Sequence, residues 1–248
     1  MDLKGFTGWS STRTPVEVFD LLEAIFGAFD KLAARRKVFK VETIGDSYVA
    51  VAGLPEAQPD HAVIMAKFAR DCLLDFSLVI NRLADTLGSD TANLEMRVGL
   101  HSGSTTGGVL RGEKGRFQLF GDTVNTASRM ESTGVPGRIH CSQATADALS
   151  AKGKSSWLSP RNEKVVAKGK GEMQTYFVDP SGTNTKSVGT TISSVDEDSA
   201  DSESVNKKEP DFESQQEHEK EPDVESQLNK KLNERLSRNL SATPTRFL

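Results

Sequence analysis

The stretch VFKVETIGDSYVAVAGLP, residues Val38 to Pro55, holds two apolar runs that meet at a Gly-Asp pair. Residues 38–44 alternate in polarity and are rich in β-branched side chains, and residues 47–54 form a second strand-like run. The pattern predicts a β-hairpin with Asp46 at or beside its tip. A carboxylate held there by two buried strands suits Mg²⁺ that keeps free positions for phosphate. On the turn signal alone, a plain turn is the more frequent explanation.

The segments on either side of the hairpin predict long helices. Thr14 to Glu17 reads as a capping box with proline at the first helical position, and apolar residues follow at helical spacing as far as Leu32. A second amphipathic helix is predicted from about residue 60 through 76 and on towards 83. The order of these elements is therefore strand, helix, hairpin, helix.

The opening stretch DLKGFT, Asp2 to Thr7, reads as the end of a strand that turns into a loop. The residues that would begin such a strand do not precede it. We therefore expect either that the sequence is a fragment of a longer, membrane-anchored receptor or that the domain lacks half of a central strand.

The following segments alternate between short strands and helices. We predict strands at 95–101, 117–120 and 139–141, a small-residue turn at 102–108, a capped helix at 142–149 and a hairpin over 164–178. A helix is predicted from Val124 to Glu131, and Asn125 and Arg129, four residues apart, share one of its faces. A solvated helix face is the ordinary explanation for such a pair.

Composition divides the chain near residue 180. Residues 181–248 hold 9 Lys and Arg against 14 Asp and Glu and few apolar residues, which predicts a disordered acidic tail. Leucines recur every four residues near its end and predict a short helix at 224–240, either a partner-binding segment or a fraying helix. Residues 1–180 are predicted to form the folded domain.

Three classes of function are disfavoured by composition. Neither part has the basic excess of a nucleic-acid-binding protein. Cys72 and Cys141 are far apart and lack metal-binding spacing, so they predict neither a disulfide nor a zinc site. No apolar run approaches the roughly 18 residues of a membrane span, and no signal peptide is recognised, so we expect a cytoplasmic chain without membrane contact.

Five separated motifs, in order, resemble those of class III nucleotidyl cyclases, and the wording is most similar to receptor-type guanylate cyclases. The motifs are DLKGFT, KVETIGDSYVAVAGLP, RVGLHSG, RFQLFGDTVNTASRMES and AKGKGEMQTYFV. The resemblance covers residues 1–180. It implies an α/β (α+β) ferredoxin-like catalytic domain that pairs head to tail with a second copy or a paralogous cyclase domain, with each active site lying across the interface.

The resemblance also implies a reaction and its metal ions. The ribose 3′-hydroxyl of a nucleoside triphosphate attacks the α-phosphate, pyrophosphate leaves, and two Mg²⁺ or Mn²⁺ ions assist. Asp2 and Asp46 match the two metal-binding aspartates, and Leu3 would add a backbone carbonyl. The loop Gly5-Phe6-Thr7 would offer backbone N–H groups to the β- and γ-phosphates.

The partner chain would supply the rest of the site. Asn125 matches the residue that orients the ribose, and Arg129 matches the residue that stabilises charge on the α-phosphate. Lys168 matches a lysine that meets the triphosphate, with Lys170 as a substitute, and Arg116 is a candidate for phosphate or interface contact.

The residues expected to read the purine base are Glu42 and Gln118. An ionised carboxylate only accepts hydrogen bonds, so Glu42 suits the N1–H and 2-amino group of guanine, whereas adenylate cyclases usually have lysine there. Gln118 replaces the usual cysteine or aspartate and can serve either base by turning its amide. We therefore expect conversion of GTP to cGMP. The alternatives are an adenylate cyclase and a catalytically silent cyclase-like domain that serves dimerisation or regulation.

Overall fold

The computed structural model describes residues 1–110, 116–167 and 170–181. The side chains of Leu110, Arg116 and Ala167 lie outside this description, as do the predicted tail and its helix at 224–240. The strands are β1 (Asp2–Lys4), β2 (Phe39–Ile44), β3 (Ser47–Val51), β4 (Glu95–Leu100), β5 (Thr106–Leu110), β6 (Arg116–Phe120), β7 (Ile139–Ser142), β8 (Leu158–Pro160), β9 (Val165–Ala167), β10 (Gly171–Met173) and β11 (Thr175–Val178). The α-helices are α1 (Phe6–Ser10), α2 (Pro15–Arg36), α3 (His61–Leu87), α4 (Asp122–Ser132) and α5 (Gln143–Ala151).

The two long helices confirm the sequence pattern. Thr14 and Glu17 form the predicted capping box, with Pro15 at the first helical position of α2. α3 runs to Leu87, four residues beyond the predicted end, because its apolar face continues to pack on the core through Leu83 and Leu87. The buried stripes of both helices cover one face of the sheet.

The central sheet has the strand order expected of a ferredoxin-like domain. β2 and β3 form the predicted antiparallel hairpin, and β1 pairs antiparallel with β4. The backbone nitrogen of Met1 donates to the carbonyl oxygen of Tyr48 at 3.0 Å, and the nitrogen of Tyr48 donates to the carbonyl oxygen of Met1 at 2.9 Å. These two hydrogen bonds place β1 beside β3, so the strands lie in the order β2-β3-β1-β4. β7, β11 and β8 extend the sheet beyond β4, with β4 and β7 parallel.

The hairpin is tied to α2 through one carboxylate. The hydroxyl of Tyr48 donates to Asp30 Oδ1 at 2.7 Å, and Lys40 Nζ lies 2.7 Å from Asp30 Oδ2. The ring of Tyr48 is buried against Phe29, edge to face. One residue of each strand of the hairpin is therefore fixed to the same helix.

Three local predictions were wrong. Gly5-Phe6-Thr7 is not a loop, because Gly5 adopts a left-handed conformation (φ 89°) and Phe6 begins α1. The small-residue turn ends early, because Thr106 to Gly108 already pair with β6. The residues over 164–178 do not form one hairpin: β9 pairs with β10, whereas β11, buried at three of its four residues, pairs with β7 and β8.

The opposite face of the sheet carries α4, which lies directly on Gly99 of β4. A Cβ atom at Gly99 would sit 2.1 Å from the backbone nitrogen of Glu131 and 2.6 Å from the carbonyl oxygen of Ala127. The buried residues Thr126 and Met130 line the side of α4 that meets the sheet. The missing side chain at Gly99 is therefore what allows this close approach of helix and strand.

We expect Gly99→Ala to lower the free energy of unfolding by about 2 to 3 kcal/mol, because α4 has to move away from the sheet to admit the methyl group. Chemical denaturation followed by circular dichroism measures the change. Gly27→Ala in α2 is the matched control, since apart from the chain neighbours and the helix's own backbone no described atom lies within 4 Å of a Cβ placed there. The control should be neutral or stabilising by up to about 1 kcal/mol. Equal stabilities of the two variants would contradict the packing argument.

Candidate active site

The two predicted metal-binding aspartates lie near one another. Asp2 is on β1, and Asp46 is in the turn between β2 and β3, where Gly45 has a φ of 60°. Partial burial, and after it the negative charge of Asp2, raises the pKa of Asp46 above its ordinary value. This repulsion between two carboxylates is what a divalent cation placed between them would relieve.

The carboxylate of Asp2 is held in position by two donors. The hydroxyl of Ser47 donates to Oδ1 at 2.6 Å, and the guanidinium of Arg97 lies 2.9 Å from Oδ2. Arg97 is the antiparallel partner of Asp2 in the β1–β4 pairing, so both side chains project from the same face of the sheet. Asp2 therefore has a fixed orientation that depends on two neighbouring strands.

The donor set fits a hard cation that also binds a substrate. Within the described ranges 1–110, 116–167 and 170–181, no group of three or more His, Cys, Asp or Glu is placed to hold a metal ion. Two carboxylates leave most positions of a Mg²⁺ or Mn²⁺ ion for backbone carbonyl, water and phosphate oxygens. Leu3 is buried through its side chain, so its contribution could come from its backbone alone.

Arg97 and Glu131 are two residues of this region that sequence reasoning missed. Arg97 Nε lies 2.8 Å from Oε1 of Glu131, whose side chain is 16% exposed. Burial, and after it the charge of Asp2, raises the pKa of Glu131, while Arg97 opposes the increase. An acid near the end of an amphipathic helix usually faces solvent, so the sequence gives no sign that this one points to the sheet.

The predicted residues of α4 lie on its outer side. Asn125 is exposed and Arg129 is half-buried, away from the sheet-facing Thr126 and Met130. Among the described residues, no hydrogen bond or ion pair joins either side chain to Asp2 or Asp46. The structure thus brings the two aspartates together within one chain, whereas Asn125 and Arg129 lie on the part of α4 that is turned away from its buried residues.

The two predicted base-reading residues lie on strands that meet. β2 carries Glu42 just beyond a β-bulge, and β6 carries Gln118; both side chains are half-buried. The strands contact through the rings of Phe39 and Phe117, whose centroids are 5.1 Å apart, edge to face. Among the described residues, no hydrogen bond joins the side chains of Glu42 and Gln118.

A cavity of about 190 Å³ lies between β3 and β4, and it is lined by residues of α3, such as Met65 and Phe68, as well as by residues of α4. Ser47 and Glu131 line it near the aspartates, and Leu119 and Val124 line it near the base-reading strand. The predicted site residues that the structure describes are not among those that line this cavity, although Ser47 follows Asp46 in the chain and Leu119 follows Gln118.

Two predicted basic residues fall outside what the structure describes. Lys168 lies in the undescribed pair 168–169, and the side chain of Arg116 is not described, although its backbone belongs to β6. Lys170, the predicted substitute for Lys168, forms an ion pair with Asp122 at the start of α4. Hydrogen bonding to Lys170 lowers the pKa of Asp122.

Residues 1–180 match the family described as "Adenylate and Guanylate cyclase catalytic domain". The chain is 42% identical over 177 residues to receptor-type guanylate cyclase gcy-28 of Caenorhabditis elegans, covering 71% of this chain and 13% of that protein. It is 40% identical over 178 residues to retinal guanylyl cyclase 1 of Bos taurus, covering 71% of this chain and 16% of that protein. The chain therefore spans a minor part of the length of these relatives.

Solved structures agree with this assignment. The guanylate cyclase domain of RhGC from Catenaria anguillulae, in complex with GTP, superposes with a TM-score of 0.61 at 39% identity, covering 72% of this chain and 92% of that one. The adenylyl cyclase CyaB from P. aeruginosa shares the fold, with a TM-score of 0.64 at 23% identity, covering 72% of this chain and 90% of that one. By sequence and by fold, this chain belongs to the adenylate and guanylate cyclase catalytic domain family.

Proposed function

We propose that residues 1–180 form a metal-dependent guanylate cyclase domain that converts GTP to cGMP and pyrophosphate. The observation that carries the proposal is the pair of neighbouring carboxylates, Asp2 on β1 and Asp46 in the turn between β2 and β3. Relatives at about 40% identity bear the name guanylate cyclase. The metal ions would be held by the two aspartates and the backbone carbonyl of Leu3. When bound, two Mg²⁺ or Mn²⁺ ions supply activation of the ribose 3′-hydroxyl and offset charge on the phosphates.

The protein groups then act on the triphosphate in separate places. Asp2 and Asp46 would hold the cations through which the α-phosphate end of the substrate is bound beside β1. Gly5, Phe6 and Thr7 lie where α1 begins, and the first N–H groups of a helix have no partner within the helix, so they are available to phosphate oxygens. The aspartates need to be ionised to bind Mg²⁺ or Mn²⁺. In turn, the repulsion between the two ionised carboxylates is offset by the cation.

The remaining catalytic groups are proposed to come from a second copy of the domain. Asn125 orients the ribose, Arg129 stabilises the charge that develops on the α-phosphate, and Lys168 contacts the triphosphate. The outward position of Asn125 and Arg129 on α4 supports this, because an exposed and a half-buried side chain are accessible to a second chain. A homodimer, or a pair with a paralogous cyclase domain, would complete two sites.

We also propose that the catalytic domain works on the cytosolic side of the membrane. No helix in the described part of the chain is long and apolar enough to cross a membrane. A cytoplasmic enzyme and the cytosolic part of a larger membrane receptor are both compatible with relatives that include receptor-type cyclases. The tail at 181–248 is proposed to lie outside the catalytic domain.

The direct test of the function is a cyclase assay. Purified full-length protein with Mn²⁺ and GTP should form cGMP, measured by chromatography, and the product should disappear when EDTA removes the metal. Asp46→Asn is the matched control, because it keeps the size of the side chain and removes its charge. A folded wild-type protein that forms no cyclic nucleotide from GTP or ATP would favour the silent regulatory domain.

Complementation tests the shared site. Asp46→Ala and Asn125→Ala should each lose at least about 99% of activity, whereas an equal mixture should regain up to about a quarter of wild-type activity. The reason is that half of the dimers in a random mixture are heterodimers, each with one intact site. Mixing two preparations of Asp46→Ala is the control and should regain none. A mixture as inactive as its parents, in which exchange is demonstrated by labelled chains, would contradict the two-chain site.

Base preference tests the role of Glu42. A mispaired buried acceptor costs roughly 1 to 3 kcal/mol, so kcat/KM should favour GTP over ATP by about tenfold to a hundredfold. Glu42→Lys combined with Gln118→Asp should reverse the preference, because the pair then presents a donor and an acceptor that suit adenine. Glu23→Lys, an exposed charge reversal on α2, should leave the ratio unchanged. A wild-type protein that prefers ATP would show that Glu42 does not face the base.

A further inference from the structure

Glu131 is a largely buried acid that the proposed reaction does not use. It lies on the side of α4 that faces the sheet, and its backbone nitrogen is where a Cβ on Gly99 would clash. Arg97 is two residues before Gly99 on β4, and its side chain projects from the same face of that strand. The close contact of α4 with Gly99 therefore sets the distance between the Glu131 carboxylate and the guanidinium of Arg97.

A single guanidinium bridges two carboxylates here. Arg97 lies 2.9 Å from Oδ2 of Asp2 and 2.8 Å from Oε1 of Glu131. The side chains of all three are at least 74% buried, since their exposed fractions are 20%, 26% and 16% for Asp2, Arg97 and Glu131. The contact with Asp2 is a hydrogen bond, whereas the contact with Glu131 is an ion pair without hydrogen-bond geometry. In such partly desolvated surroundings, the attraction between opposite charges is less screened than at an exposed surface.

The bridge creates a competition at Asp2. A divalent cation needs lone pairs of the Asp2 carboxylate, and the guanidinium of Arg97 already occupies one oxygen and carries positive charge. Lone pairs of Asp2 remain free, but the positive charge of Arg97 opposes a cation beside the same carboxylate, so cation binding is favoured when Arg97 loosens its hold on Asp2. The second carboxylate decides how costly that step is, because it can keep the guanidinium paired when Asp2 turns to the metal.

We propose that Glu131 is a positioning residue that retains Arg97 while Asp2 binds the divalent cation. The inference rests on the proposed function of the Asp2 and Asp46 pair. Without the charge of Glu131, Asp2 becomes the stronger of the two partners of Arg97, and the guanidinium competes better with the cation. Glu131 thus acts on the metal site through Arg97 without touching metal or substrate.

The test is a double-mutant cycle on Mn²⁺ affinity. Free Mn²⁺ is measured by electron paramagnetic resonance in titrations of the full chain with GTP that lacks its 3′-hydroxyl, so turnover cannot occur. Glu131→Gln should weaken Mn²⁺ binding by about threefold to tenfold in the wild-type background. In an Arg97→Gln background, Glu131→Gln should alter Mn²⁺ affinity by less than about twofold, because the guanidinium that competes with Mn²⁺ for Asp2 is gone.

Glu95→Gln is the matched control. Glu95 lies on the same face of β4, two residues from Arg97, and pairs with Lys4 at 2.9 Å. The variant removes the same negative charge beside the same strand pair without changing a partner of Arg97, so Mn²⁺ affinity should change by less than about twofold. Equal weakening by Glu131→Gln in both backgrounds would show a general charge effect and overturn the proposal, as would an unchanged affinity in the wild-type background.

A folding check and an alternative variant allow the role of Glu131 to be tested even if one variant does not fold. Circular dichroism checks that each variant folds, and if Glu131→Gln does not, Glu131→Asp carries the same comparison, because it keeps the charge but draws the carboxylate back from Arg97. Wild-type protein that binds Mn²⁺ but forms no cyclic nucleotide would contradict the proposed reaction, while the cycle would still decide the role of Glu131. A wild-type protein that binds no Mn²⁺ would overturn both.

Discussion

The pairing of β1 between β3 and β4 is the constraint on which the rest of the site depends. Asp2 faces Arg97 on one side, and on the other side the hydrogen bonds between Met1 and Tyr48 bring the hairpin turn with Asp46 close to it. Burial of Asp46, and after it the nearby charge of Asp2, disfavours the ionised carboxylate and raises the pKa of Asp46. The closeness of the two carboxylates destabilises the cation-free domain locally, and a bound cation would offset this effect.

The sequence predicted those features that depend on neighbours along the chain. The capping box at Thr14 and the hairpin around Asp46 are confirmed, because caps and tight turns are encoded within a few residues. The ferredoxin-like strand order is also confirmed, although it came from the resemblance of the motifs and not from periodicity. The roles of Asn125, Arg129, Glu42 and Gln118 stay predictions, since they concern a substrate and a second chain.

What the sequence did not predict depends on contacts between distant segments. The bridge from Asp2 through Arg97 to Glu131 joins β1, β4 and α4, and no pattern within one segment marks it. Gly99 looked like any strand glycine, yet it sets how closely α4 approaches the sheet. The pairing of β11 was missed for a similar reason, because its buried residues pair with β7, more than thirty positions earlier. The local turn signals around Gly171 predicted a single hairpin over 164–178 instead.

The burial of both cysteines has a chemical consequence. Cys72 packs in the core on α3 and Cys141 on β7, and burial raises the pKa of Cys141 to about 12 and that of Cys72 further still. At neutral pH the thiolate, which is the reactive form, is therefore scarce at both positions. Oxidants and alkylating reagents reach these sulfurs when the surrounding core opens, so the rate of thiol labelling reports how often the folded domain exposes its interior.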